Sequence, residues 1–188
     1  MGNMIWVLLV DDQQLVREGI LRLLELNSMI DVVGQADNGE TALTLLSDLN
    51  PDVLLLDIRM PGMSGLDTLA EMNKRNILTP TILLTTFNDG DYLAQAKELK
   101  AKAFLLKDVS SECLMGVIVR VSNGQEYFPN VSNQKNDEFC ALTFLLYTHD
   151  SDIEEDRLIL CSSRCMTIYN FTKKQTTTTR KETQKETV

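Results

Sequence analysis

The run Val53-Leu54-Leu55-Leu56-Asp57 joins four consecutive apolar residues to an acid. Four residues are too few for a helix, and an apolar stretch without alternation suits a strand buried on both faces. Four other short runs repeat the pattern: Ile5 to Val10, Val32 to Val33, Ile82 to Leu84 and Phe104 to Leu106. Helical spacing fills the intervals. Apolar residues recur at Leu15, Ile20, Leu23 and Leu24; at Ala42, Leu45, Leu46 and Leu49; at Leu66, Leu69 and Met72; at Tyr92, Ala96 and Leu99; and at Leu114, Val117, Ile118 and Val121. This is the three-and-four interval that lines one helix face. Strands and helices in strict alternation predict an α/β domain, a parallel sheet with right-handed crossovers and helices on both faces.

In such a sheet every strand's carboxyl end lies on one edge, so the residue after each apolar run is delivered to a shared crevice. Asp11 and Asp12 follow the first run, Asp57 the third, Thr85 the fourth and Lys107 the fifth. Singly, each has a plain explanation: Asp11 or Asp12 can cap a helix, Thr85 can sit in a turn, and Lys107 can be a solvated charge. Their coincidence at one rim points instead to chemistry. Three close carboxylates raise one another's pKa unless a cation neutralises them. Hard oxygen donors without histidine or thiolate select Mg²⁺ or a close relative. A carboxylate beside such an ion can attack a phosphoryl group to give an aspartyl phosphate, while Lys107 and the Thr85 hydroxyl hold equatorial oxygens.

Val10-Asp11-Asp12, Leu56-Asp57-Ile58-Arg59-Met60-Pro61-Gly62-Met63-Ser64-Gly65, Leu84-Thr85-Thr86 and Phe104-Leu105-Leu106-Lys107-Asp108 together resemble the receiver domain of bacterial two-component response regulators, over about residues 4 to 124. The resemblance implies a flavodoxin-like (βα)5 doubly wound sheet of strand order 2-1-3-4-5. It implies that Asp57 is the phosphoacceptor, that Asp11, Asp12, Asp57 and the backbone carbonyl of Arg59 bind Mg²⁺, and that Lys107 contacts the phosphoryl group. Thr85 and Phe104 would be a switch pair. A phosphoryl group adds close to two negative charges and draws the Thr85 hydroxyl, vacating space that the Phe104 ring fills from outside. The face made by the fourth helix, fifth strand and fifth helix would then change. Phe104 as plain core is the competing reading. A sensor histidine kinase, homodimerisation on phosphorylation and transcriptional output are the partners and consequences the resemblance implies, in a protein that is not itself an enzyme.

Asp108 after Lys107, and Leu84-Thr85-Thr86-Phe87, resemble the NarL/FixJ group. Lys100 departs from the family, standing where Gly is usual at the end of the fourth helix; in a left-handed backbone Lys costs on the order of 1 kcal/mol relative to Gly. A Mg²⁺-dependent phosphohydrolase forming the same aspartyl phosphate is the competing enzyme class, but it would need an acid two residues after the nucleophile, where Arg59 stands.

The rest of the chain does not continue the pattern. Gln125 to Asn136, polar and containing Pro129, reads as a linker. Residues 137–171 read as a degenerate or truncated output region, and Thr172 to Val188 as a disordered polar tail without apolar residues to bury before Val188. NarL/FixJ-type regulators normally continue into a helix-turn-helix DNA-binding domain opening with Leu-Thr and then Arg-Glu. Here Leu142-Thr143 is followed by Phe144-Leu145. No basic groove-facing helix is legible, although a helix is expected at Glu138 to Tyr147. A truncation or shifted reading frame near residue 143 is the favoured explanation, and a stand-alone receiver that binds no DNA the alternative. Cys161 and Cys165 lack a second pair and read as free thiols, and His149 reads as a solvated loop residue.

Composition agrees with these limits. The 188 residues carry a net charge of −9, so neither part is a basic platform for nucleic acid. No run approaches the roughly 18 apolar residues of a membrane span, and no basic stretch leads into an apolar signal core, so a cytoplasmic protein without membrane contact is expected.

Overall fold

Alternate residues of a strand face opposite sides of its sheet, and in this chain both sides are apolar. A computed structural model describes residues 4–86 and 90–128, together with the backbone of residues 158–162 and 165–169. Five strands, β1 (Ile5–Val10), β2 (Ile30–Ala36), β3 (Val53–Asp57), β4 (Thr81–Thr85) and β5 (Ala103–Leu106), alternate with α1 (Gln14–Glu25), α2 (Gly39–Leu49), α3 (Gly65–Lys74), α4 (Gly90–Glu98) and α5 (Ser111–Ser122). The strands pair in parallel in the order β2-β1-β3-β4-β5, the flavodoxin-like arrangement that the resemblance implies. Val7, Leu9, Val53, Leu55, Ile82 and Leu105 point to one core with α1 and α5. Leu8, Val10, Leu54, Leu56, Leu83 and Phe104 point to the other, with α2, α3 and α4. Two cores served by successive residues of the same strands explain why those strands are apolar without alternation.

The sheet does not end at β5. Gln125–Phe128, the first part of the stretch that reads as a linker, lies along its outer edge. Phe104 N–H donates to the Tyr127 carbonyl at 3.0 Å, and Tyr127 N–H donates to the Lys102 carbonyl at 2.9 Å. Tyr127 packs on one core and Phe128 on the other, while Lys97 Nζ stands 5.1 Å from the Phe128 ring centre. The segment thus covers backbone groups that an edge strand would leave unpaired; the two aromatic side chains give it apolar surface to bury.

Lys100 has φ of 63°, the left-handed turn in which its N–H bonds Lys97 O and Ala101 N–H bonds Ala96 O to close α4. Gly would take this conformation without the Cβ clash. Lys100→Gly is therefore expected to raise stability by about 1 kcal/mol, read from urea unfolding.

The chain divides into two units, Met1–Thr148 and His149–Val188. In the second, β6 (Leu158–Ser162) pairs antiparallel with β7 (Cys165–Tyr169). These ten residues pair as two short strands within the extension that reads as poorly structured. Cys161 stands opposite Met166 and Cys165 opposite Ser162, so the two cysteines are not register partners. The helix expected at Glu138 to Tyr147, His149, Phe87 and the tail from Thr172 lie outside the described residues. No helix of the described residues is long and apolar enough to cross a membrane.

Candidate functional site

The parallel topology brings the expected residues to one edge. Asp11 directly follows β1, Asp57 and Thr85 end β3 and β4, and Lys107 directly follows β5. Asp11, Asp57 and Thr85 are buried. One carboxylate oxygen from each of Asp11, Asp12 and Asp57 falls within 4.8 Å of the others. Lys107 Nζ lies 2.7 Å from Asp11 Oδ2 and 3.0 Å from Asp57 Oδ2. Lys107 thus pairs with both buried carboxylates. Asp12 Oδ1 is buried without a hydrogen-bond partner, and buried polar atoms are rarely left so. One lysine cannot balance three acids, and a hard divalent cation would supply both missing charge and missing ligands. The donor set of Asp11, Asp12 and Asp57 therefore fits a hard divalent cation such as Mg²⁺.

Burial raises the Asp57 pKa above the ordinary carboxylate value, and the Asp11 charge adds to this; Lys107 and the Arg59 backbone N–H pull the other way. A carboxyl with a raised folded-state pKa loses stability as pH climbs from its unfolded value through its folded one. Asp57→Asn removes that loss. The variant should exceed wild type in stability at neutral pH without divalent metal, and the advantage should vanish in acid, as followed by urea unfolding across pH.

Phe104 is 1% exposed and packed in the core beneath α3 and α4. The ring lies inside in this structure, as the competing reading of plain core has it, because β5 directs alternate side chains to that core. Two contributors have no role in the sequence reading. Gly65 presses its Cα against the acceptor strand, where an added Cβ would stand 2.1 Å from the Asp57 carbonyl oxygen. Arg17 Nη1 donates to the Asp11 carbonyl at 2.6 Å. Gly65 was visible as the last glycine of the block after Asp57. Arg17 left no pattern beyond being a base one turn into an uncapped helix.

A five-stranded parallel sheet whose carboxyl edge gathers three acids, a threonine and a lysine defines a receiver-type signalling domain. The family model for the response regulator receiver domain matches residues 7–119. The chain belongs to that family. It is 44% identical over 108 residues to the transcriptional regulatory protein YdfI of Bacillus subtilis, covering 57% of this chain and 50% of that protein. It is 34% identical over 119 residues to the nitrate/nitrite response regulator NarL of Escherichia coli K12, covering 63% and 55%. A solved structure of a DNA-binding response regulator of the LuxR family from Staphylococcus aureus superposes with a TM-score of 0.61 at 34% identity, over 64% of this chain and all of that one. The chain spans about half the length of the curated relatives it matches, and the similarity places it among NarL/LuxR-type response regulators.

Proposed function

We propose that this chain is the phosphoryl-accepting switch of a two-component phosphorelay, with Asp57 as acceptor. The observation that carries the reading is the Lys107 ammonium set between Asp11 and Asp57 in a buried acid cluster. The donor class is a phosphohistidine of a sensor kinase. An Asp57 carboxylate oxygen forms a bond to phosphorus as the bond from phosphorus to the imidazole nitrogen breaks; the imidazole, protonated at its other nitrogen, leaves as the neutral ring. Lys107 Nζ exchanges a carboxylate contact for a phosphoryl oxygen, and the Thr85 hydroxyl takes a second. Asp11, Asp12, Asp57 and the Arg59 carbonyl would hold Mg²⁺, which would supply positive charge to offset the incoming oxygens. The new charge acts on Thr85 and, through the β4–β5 pairing, on Phe104 and the α4-β5-α5 face. The chain is a stoichiometric acceptor in the cytoplasm, not an enzyme; homodimerisation and transcriptional output follow by analogy with its relatives.

Incubation with Mg²⁺ and acetyl phosphate should add the mass of one phosphoryl group, and Asp57→Asn should prevent it. An unchanged wild-type mass would overturn the proposal.

A further inference from the structure

The β1–α1 turn carries two of the three acids, yet helix α1 opens with no side-chain cap at Gln13 and no acid in its first turn. Such a helix start leaves the preceding peptides weakly anchored. Asp11 is nevertheless held on every side. Its N–H donates to the Ala36 carbonyl at 3.1 Å, its Oδ1 accepts from Gln13 N–H at 2.9 Å, and its Oδ2 meets Lys107. Its carbonyl accepts from Arg17 at 2.6 Å. That carbonyl is half of the peptide joining Asp11 to Asp12, so the Arg17 bond fixes the plane from which the Asp12 side chain departs. Asp12 Oδ1 ends buried without a partner, as a ligand oxygen awaiting a cation would.

We infer that Arg17 is a positioning residue for the divalent-cation site, locking the Asp11–Asp12 peptide so that Asp12 presents its carboxylate to the ion. The inference rests on the function proposed above. Two effects of opposite sign attach to this side chain. As a cation bonded to the Asp11 carbonyl, Arg17 repels a second cation, so charge alone makes its removal tighten metal binding. As an anchor, its removal lets Asp12 wander and weakens binding. Loss of an outer-shell partner typically costs tenfold to a hundredfold in metal affinity, whereas the charge of a partly exposed guanidinium is screened. Positioning should win.

The test is the Mg²⁺ dissociation constant of the whole chain by titration calorimetry, with free Mn²⁺ counted by electron paramagnetic resonance, well below the unfolding midpoints. Arg17→Ala should raise the constant about tenfold, and Arg17→Lys, which keeps a donor, should recover part of the loss. An unchanged or lower constant in Arg17→Ala, even with a reduced melting temperature, overturns the inference. Should that variant not fold, Arg17→Gln decides by sign: it keeps an amide donor without the charge, so a constant below wild type overturns the inference and a moderately raised one supports it. A wild-type chain that binds neither metal overturns the proposed function itself, and this inference with it.

Discussion

Lys107→Ala should lower stability at neutral pH by about 3 kcal/mol, the loss expected when one partner of a buried ion pair is removed, and the deficit should shrink in acid. Lys107 contacts both the Asp11 and the Asp57 carboxylates. Without it, Asp57 loses its largest stabilising influence on the charged form while burial and the Asp11 charge continue to act, so its pKa rises further. A raised folded-state pKa means that stability is lost as pH climbs above the ordinary Asp value of about 4. The variant should therefore approach wild type near that pH and fall behind it toward neutrality. Mg²⁺ should restore part of the difference, because it supplies charge at the same carboxylates. On the proposed function, acetyl phosphate labelling of Asp57 should slow about a hundredfold in the same variant, the usual cost of losing one donor to a developing oxyanion. Urea unfolding at acid and neutral pH, with and without Mg²⁺, reads the first effect and mass spectrometry the second. A deficit that ignores both pH and Mg²⁺ would mean that the acids are not coupled through this lysine.

The placement of that lysine was legible because topology alone carries residues following apolar runs to a shared edge. What sequence resolved poorly was whatever lacked a full apolar signature. β2 is an edge strand with Asp31 and Gln35 exposed, so Val32 to Val33 marks only the middle of Ile30–Ala36. Tyr127 and Phe128 sit among polar residues, and their attachment to β5 depends on an open edge that no linear pattern displays. Arg17 was invisible for a different reason. Its partner is a carbonyl, which every residue has, so nothing in the sequence at the acceptor end identifies the bond.

Glycine 65 provides the second large effect. Gly65→Ala should destabilise the domain by about 3 kcal/mol, at the upper end of ordinary overpacking costs. The added carbon would meet the Asp57 carbonyl oxygen at 2.1 Å and the Asp57 carbonyl carbon and Ile58 Cα at 3.0 Å. All three are backbone atoms, which cannot rotate away as a side-chain tip does. Helix α3 is fixed at this end by the Ser64–Asp67 capping box and by Gly65 N–H donating to Ile58 O at 2.9 Å, so relief must come from moving α3 or the end of β3 with Asp57 on it. Weaker Mg²⁺ binding should therefore accompany the lost stability. Gly19→Ala is the matched control. Gly19 lies within α1 with nothing within 4 Å of its added carbon, so alanine's better helix propensity should raise stability by up to about 1 kcal/mol. Urea unfolding of the two variants should give shifts of opposite sign. A Gly65→Ala protein as stable as wild type would show that the close approach of α3 to the acceptor strand relaxes without cost, and that Gly65 does not hold Asp57 in place.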